Sequence, residues 1–261
     1  MGKLEQTEDI LNAMKRLILA AFGTFLCVLI GCSTLRTEPI KALLVTGGCC
    51  HDYELQMAAL TSGLSQRIAI DWTVDYDEND STDSQSALFD DPAWAEPYDV
   101  VVHNQCYADT ADPEYIAKIV AAHEAGVPAV VIHCAMHTFR AAEVDDWRAF
   151  LGVTSYGHER LSEYPTVIAN PTHPIIGDFP SDWISPMDEL YVVEEIWPET
   201  DVLITSTSED DGESHPVVWT NQYGNARVFG TTFGHTNDTL SDPEFQALLA
   251  RGILWVTNRL G

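Results

Sequence analysis

The sequence is short of basic residues. Thirteen lysines and arginines stand against 40 aspartates and glutamates, which gives a formal net charge of −27 over 261 residues. The first 31 residues carry three charges of each sign, so this negative charge belongs to the rest of the chain. An acidic surface repels phosphate backbones, which argues against nucleic acid as a partner. Such a surface is compatible with a neutral or metal-bridged ligand, and it does not decide whether the protein forms a homo-oligomer.

The sequence also lacks a dinucleotide-binding fingerprint after its first apolar run. The glycines of "VTGGCCH", residues 45–51, do not complete the Gly-x-Gly-x-x-Gly spacing that brings a backbone close to a pyrophosphate. We therefore expect no nucleotide cofactor.

The apolar segment near the N-terminus is shorter than the ~20 residues that a membrane-spanning helix needs. This segment, "LILAAFGTFLCVLIGC", follows Met14-Lys15-Arg16, a pattern typical of an export signal. It ends in "LIGC", which resembles the bacterial lipoprotein signal, with Cys32 lipidated as the mature N-terminus. We expect an extension and signal over residues 1–32, a tether over 33–40 and an α/β domain over 41–261. The protein would then be exported and held at a membrane through Cys32, in the periplasm or at the outer membrane. An uncleaved anchor is the alternative.

Few cysteines remain after this segment. They are Cys49, Cys50, Cys106 and Cys134. In an oxidising compartment they could pair, but their spacing matches no disulfide framework. The sequence therefore does not give their connectivity.

What the chain does contain is an alternation of apolar runs and helical patterns. "KALLVTGG", "IAIDWTV", "YDVVVHN" and "VPAVVIH" predict four buried strands. "DPEYIAKIVAAHEAG" predicts a helix with its cap at Asp112, Pro113 in the first turn and Gly126 at the exit. This alternation predicts an α/β fold with an open, doubly wound, mostly parallel sheet of flavodoxin-like type. In the C-terminal half, later runs predict antiparallel additions and a closing helix capped near Ser241, and "SYGHER" predicts a loop.

Polar and reactive side chains gather where the predicted strands end. In doubly wound sheets, ligands bind beyond the carboxyl ends of the strands. We therefore expect these side chains to share one ligand-binding edge. They are His51 and Asp52 after the first strand, His103 and Asn104 at the third, and His133 and Cys134 at the fourth.

Four motifs resemble, in this order, the trehalose-utilisation (ThuA-like) family. They are "VTGGCCHDY", "VVIHCAMHTF", "HPI" followed by "DELY", and "HPVVWTNQYGNARVFGTTFGHT". The resemblance covers nearly all of residues 41–261, and the last motif, ending in Gly234-His235, is the most specific. It implies a fold similar to class I glutamine amidotransferases. It also implies a role in the use of trehalose and related disaccharides, including sugars oxidised at carbon 3.

The amidotransferase resemblance bears on Cys134. Class I amidotransferases carry a nucleophilic cysteine on a tight elbow after a strand, with a histidine from a later strand. Cys134 and His235 look comparable to that pair. The elbow needs glycines for its strained turn, however, and "IHCAMH" has none. A nucleophilic Cys134 and a packed strand-end Cys134 both stay open.

The resemblance also implies a pocket of histidines and carboxylates, which suits zinc or another borderline divalent ion. The candidate metal ligands are His51, His133 and His235, and a divalent metal, zinc first, is the expected cofactor. The candidate catalytic residues are His51, Asp52, His133, Cys134, Glu189 and His235. The candidate substrate-binding residues are His103, Asn104, His137, His158 and Tyr191.

Three functions are compatible with this set. The first is a metal-assisted enzyme that hydrolyses, eliminates from or isomerises a disaccharide or its 3-keto derivative. The second is a surface protein that binds a small carbohydrate without turning it over. The third is a cysteine-dependent hydrolase related to amidotransferases.

Overall fold

The computed structural model describes residues 38–260. Over this range the chain forms ten strands and five α-helices. The strands are β1 (Ile40–Gly48), β2 (Ile70–Asp77), β3 (Val100–Cys106), β4 (Ala129–Ile132), β5 (Val153–Ser162), β6 (Thr166–Ile168), β7 (Asp188–Ile196), β8 (Thr200–Thr207), β9 (Ser214–Tyr223) and β10 (Ala226–Thr231). The helices are α1 (Tyr53–Ser65), α2 (Pro113–Ala125), α3 (Asp146–Leu151), α4 (Asn237–Ser241) and α5 (Pro243–Val256).

Eight of the strands form one mixed sheet in the order β2-β1-β3-β4-β10-β9-β8-β6. The first five in this order are parallel neighbours, and β9, β8 and β6 extend the sheet antiparallel. The predicted α/β fold, with a mostly parallel sheet and antiparallel additions in the C-terminal half, is confirmed.

The central strands are buried on both faces, which explains their nearly continuous apolar sequences. Successive side chains of a strand point to opposite faces of the sheet. Along β1, Leu44 therefore joins the core beneath α1 and α5, whereas Leu43 joins the core beneath α2 and α3. This alternation decides where each polar residue of a central strand lies.

Helix α2 has the boundaries that its sequence predicts. The Asp112 carboxylate accepts hydrogen bonds from the backbone N–H groups of Glu114 and Tyr115, and Pro113 occupies the first turn. Gly126 ends the helix with φ of 129°, a backbone conformation that side chains disfavour. The closing helix differs slightly from prediction, because its cap is Asp242 while Ser241 ends the short α4.

The prediction of a loop at residues 155–160 is wrong. These residues belong to β5, which pairs with β7 in a separate two-stranded antiparallel sheet. The pairing shifts register at three points, and exposed residues break the regular alternation along β5. This pair carries His158 on β5, and Glu189 and Tyr191 on β7.

The predicted signal, with Cys32, and most of the predicted tether lie outside the described residues. Between residues 38 and 260, no helix is long and apolar enough to cross a membrane.

Candidate functional site

Three histidines from distant parts of the sequence meet beyond the carboxyl end of the parallel sheet. His51 follows β1, His133 follows β4 and His235 follows β10. His51 Nε2 lies 3.1 Å from His235 Nδ1, and His133 Nε2 lies 3.3 Å from the same atom. The predicted metal ligands therefore form a cluster, which we call the histidine centre.

Hydrogen bonds to backbone carbonyls orient two of these rings. His133 Nδ1 is 2.6 Å from the Thr232 carbonyl oxygen, and His51 Nδ1 is 3.3 Å from the Cys49 carbonyl oxygen. A carbonyl oxygen only accepts, so each Nδ1 carries the proton in these bonds. The Nε2 lone pairs of both rings then face the middle of the centre. This second layer of hydrogen bonds is typical of histidines that bind metals.

Strand β7 adds a carboxylate and a phenol to the histidine centre. Glu189 Oε2 lies 3.1 Å from His235 Nδ1 and 3.6 Å from His133 Nε2. The Tyr191 hydroxyl lies 3.3 Å from His133 Nε2. The other oxygen of Glu189 is 3.4 Å from His158 Nδ1. The predicted Glu189, Tyr191 and His158 thus lie at the site.

His133 itself holds the unusual turn at the end of β4. Its φ is 46°, in the left-handed region that non-glycine residues rarely adopt. Gly234 of the same chain packs against this turn. A Cβ at Gly234 would lie only 3.3 Å from the His133 Cβ and 2.9 Å from Ile132 Cγ2, so a glycine is needed there. His133, and not Cys134, therefore occupies the tight turn after β4.

Cys134 cannot act as a nucleophile in this structure, because its sulfur is bonded to Cys106. Cys49 and Cys50 form a second disulfide between adjacent residues. All four cysteines line the cavity that His51 and His235 also line. No thiol among residues 38–260 is therefore free to act as the nucleophile of an amidotransferase in this form of the protein.

Burial keeps most of the site's imidazoles neutral. It lowers the pKa of His51 to about 4, with a further contribution from His235, and it lowers the pKa of His133 well below its usual value. Burial also lowers the pKa of His137 to about 3. For His235 burial acts in the same direction, but the hydrogen bond and charge of Glu189 outweigh it and raise the pKa. Neutral imidazoles are the form that binds metals.

The histidine centre opens into a cavity of about 190 Å³. The predicted His137 lies in its wall, stacked on the Tyr191 ring with centroids 4.1 Å apart. This volume is below the roughly 300–1,000 Å³ of pockets for drug-sized ligands. The cavity therefore suits a group the size of one sugar ring. Its lining is Cys49, Cys50, His51, Thr82, Cys106, Ala108, Asp109, Cys134, His137, Arg140, His158, Glu189, Tyr191 and His235.

The structure places three of the predicted site residues outside the cavity lining, starting with His103. His103 lies in the middle of the sheet, opposite Val45 and Val131 of the flanking strands, and is fully buried away from the cavity. Its Nε2 contacts His123 Nε2 at 3.1 Å. It is a core residue and does not line the cavity.

Asn104 and Asp52 also lie outside the cavity lining. Asn104 is buried on the opposite face of the sheet, where its amide donates to Thr46 and Gln56 side-chain oxygens. Asp52 caps helix α1 by accepting a hydrogen bond of 3.1 Å from the Leu55 N–H. It borders a separate surface groove and does not line the cavity of the histidine centre. Its geometry supports a structural role.

Sequence reasoning missed two residues that position His235. Asp188 is fully buried and accepts hydrogen bonds from the N–H groups of Gly234 and His235, at 2.9 and 3.2 Å. Burial raises the pKa of Asp188 to about 6, against the opposing effect of these bonds. Gln56 donates to the carbonyl oxygens of the same two residues. Asp188 begins the "DELY" motif, but no local pattern distinguishes it there.

Arg140 was missed as well. It lines the cavity, donates a hydrogen bond of 3.1 Å to the Tyr156 carbonyl oxygen, and helps burial to lower the pKa of His137. Its signal was available, since it follows His137 by three residues.

Comparison with solved structures supports the fold. A ThuA-like protein from Parabacteroides merdae superposes with a TM-score of 0.68 at 22% identity, over 84% of this chain and 90% of that one. A ThuA-like protein from Bacteroides uniformis gives a TM-score of 0.65 at 17% identity, over 86% and 94%. A protein from Thermoplasma acidophilum, described as one of the subunits of GMP synthase, gives 0.53 at 9% identity, over 85% and 96%. The amidotransferase-like architecture is thus shared.

Comparison with curated proteins gives no significant match. The family model for ThuA, trehalose utilisation, matches residues 41–256, which is most of the chain. That match includes all the residues of the histidine centre. The chain therefore belongs to the ThuA family.

Proposed function

We propose that this protein is a metal-assisted enzyme that acts on a disaccharide or its 3-keto derivative. The observation that carries the proposal is the convergence of His51, His133 and His235 beside the Glu189 carboxylate. Family membership supports a carbohydrate as the substrate class. Hydrolysis, elimination and isomerisation are the reactions that this combination of groups permits.

The donor set fits a divalent ion. In a tetrahedral zinc site with bonds of about 2.0–2.1 Å, ligand nitrogens lie about 3.4 Å apart. The distances from His235 Nδ1 to the Nε2 atoms of His51 and His133, 3.1 and 3.3 Å, are close to that separation. All three donor atoms lie within 4.8 Å of one another. A zinc ion held there would polarise a sugar carbonyl or activate water.

The chain's own groups supply the proton transfer and the positioning. Glu189 lies beside the ligands with one oxygen directed to His158, so it can take a proton from water or from the C–H next to a ketone. Tyr191 stacks on His137 and packs against His133, which keeps the wall of the cavity rigid. Arg140 places a permanent positive charge at the cavity, suited to oxygen atoms of a bound sugar.

The cavity volume limits how a disaccharide binds. A space of about 190 Å³ takes one ring, so the second ring would lie at the mouth. We therefore expect selectivity for the ring that enters and tolerance toward the other. A series of disaccharides that share one oxidised ring would be turned over at similar rates.

Metal analysis tests the proposal. The protein purified without chelator should contain near-stoichiometric zinc or another divalent ion, and His51→Ala and His235→Ala should lose it. His173→Gln is the matched control, because this imidazole lies outside the cavity and packs near Trp255. Turnover of keto-sugars should disappear on chelation and return when metal is restored. Absence of metal in wild-type protein after loading would contradict the proposal, and sugar binding without any product would establish the carbohydrate-binding alternative.

We also propose that the protein is exported and anchored to a membrane through a lipid on Cys32. The basis is the signal pattern that ends at this residue. Cells fed a labelled fatty acid should incorporate label into the wild-type protein and not into Cys32→Ala. Equal incorporation, or none in either protein, would contradict the anchor.

A further inference from the structure

The four cysteines form a contiguous sulfur cluster beside the histidine centre. Cys49 is bonded to Cys50, and Cys106 is bonded to Cys134. The two disulfides touch, since Cys49 Sγ lies 3.8 Å from Cys106 Sγ. The cluster draws on residues after β1, at the end of β3 and after β4, so the fold brings together cysteines that are far apart in sequence.

Access to the cluster is asymmetric. Cys50 is exposed, whereas Cys49, Cys106 and Cys134 are buried at 8%, 3% and 7% relative exposure. The backbone of Cys50, two residues after the end of β1, has φ of 84°, in the left-handed region. An external thiol therefore meets the sulfur of Cys50 first. Thiol–disulfide exchange depends on such access and on which sulfur is attacked.

We propose that the cluster is a thiol–disulfide relay, which accepts electrons from an external thiol at Cys50 and delivers them to Cys134 in the cavity wall. The thiolate of the external reductant attacks Cys50 Sγ and forms a mixed disulfide. The bond to Cys49 breaks, and Cys49 leaves as a thiolate. That thiolate already contacts Cys106 Sγ, so it attacks there, forms the Cys49–Cys106 disulfide and expels Cys134 as a thiolate, which takes up a proton.

A second external thiol completes the reaction. It attacks the mixed disulfide, releases Cys50 as a thiol and leaves as the oxidised external disulfide. In total two external thiols are oxidised, and two protein disulfides become one disulfide and two thiols, Cys50 and Cys134. The relay places a free thiol in the cavity wall without exposing the buried sulfurs to solvent.

Because Cys134 lines the cavity, the relay changes the chemical character of the cavity wall. Cys134 follows His133 directly and lines the cavity together with Tyr191 and Glu189. The oxidised protein presents a disulfide on this wall, and the reduced protein presents a thiol. The substrate class for this activity is a low-molecular-weight or protein thiol. The exchange needs only the contacts between the four sulfurs, whether or not the histidine centre binds a metal.

Two single substitutions distinguish a relay from two disulfides that only stabilise the fold. Cys50→Ser leaves Cys49 as a thiol beside Cys106, so exchange should proceed without reductant, giving a Cys49–Cys106 disulfide and alkylatable Cys134. Cys49→Ser is the matched control. It leaves only Cys50 free, and the Cys106–Cys134 disulfide should persist. Rapid alkylation followed by non-reducing peptide mapping reads out both variants.

Wild-type protein provides a second test that needs no substitution. Brief treatment with glutathione should give a glutathione adduct on Cys50, then alkylatable Cys50 and Cys134 with Cys49 joined to Cys106. Four free cysteines in protein purified under oxidising conditions would overturn the proposal. So would an intact Cys106–Cys134 bond in Cys50→Ser, or an adduct that forms first on Cys106 or Cys134.

Discussion

The buried imidazoles of His103 and His123 lead to a prediction about stability and pH. His123 Nδ1 lies 2.7 Å from the Val127 carbonyl oxygen, and His103 Nδ1 lies 3.2 Å from the Gln105 amide nitrogen. These partners place one proton on each ring: His123 donates to Val127, and His103 donates from Nε2 to His123. Charging either ring would break this chain of bonds in a fully buried setting.

The direction of the pH effect follows from the pKa values. Burial lowers the pKa of His123 from 6.5 to about 4, against the opposing hydrogen bond to Val127. Between these two pH values the unfolded chain binds a proton that the native protein does not, so stability falls as the pH falls. From pH 7.5 to 5.5 the loss from this residue is about 1 kcal/mol in the free energy of unfolding. Burial also lowers the pKa of His103, which acts in the same direction.

Urea unfolding of wild type and His123→Gln at pH 7.5 and 5.5 tests this prediction. The variant should be less stable at pH 7.5, and the gap should shrink by about 1 kcal/mol at pH 5.5, since glutamine does not titrate. Ile119→Val on the same helix is the control, with a pH-independent cost of about 0.5–1.5 kcal/mol. A gap for His123→Gln that stays constant between the two pH values would refute a neutral, buried His123.

Three further substitutions test how the fold supports the histidine centre. Gly234→Ala should destabilise the protein by about 1–3 kcal/mol in thermal or urea unfolding and lower the metal content, because the new methyl group would crowd His133 and Ile132. Gly230→Ala should cost at least as much stability, since its methyl group would lie 2.3 Å from the Trp219 ring, but folded protein should retain its metal. Asp188→Asn should weaken metal affinity by about 10–100-fold in a competition titration, because it removes the carboxylate that holds the His235 backbone. Unchanged affinity in Asp188→Asn would show that this carboxylate serves stability alone.

The parallel half of the fold could be predicted because its signals are local. Apolar runs mark strands that are buried on both faces, and Asp112 and Gly126 mark the two ends of α2. Strand β5 could not be predicted in the same way. Its pairing with β7 shifts register at three points, and Tyr156 is exposed, so its side chains do not alternate regularly. Long-range pairing forms this strand, and no period in its own sequence shows it.

Part of the site could be predicted because its three histidines follow the ends of parallel strands. His51, His133 and His235 follow the last residues of their strands by three, one and four positions, so all of them lie beyond the sheet. His103 looked similar in sequence, but β3 continues to Cys106 and keeps His103 between two flanking strands. When a strand continues through polar residues, as β3 does, the sequence does not show which residue is the last one paired in the sheet.

At the end of β3, two polar core residues are followed closely by a residue that lines the cavity. Consecutive residues of a strand face opposite layers, so His103 packs beneath α2 and Asn104 lies on the side of α1. Asn104 is linked to the site through Gln56, whose amide donates to the carbonyl oxygens of Gly234 and His235. Cys106, the last residue of the strand, lines the cavity. His103 is still paired with both flanking strands and belongs to the core, whereas Cys106 lies beyond the last residue that pairs with β4. Within β3, the face of the sheet and the point where pairing with β4 ends therefore decide together which residues reach the cavity.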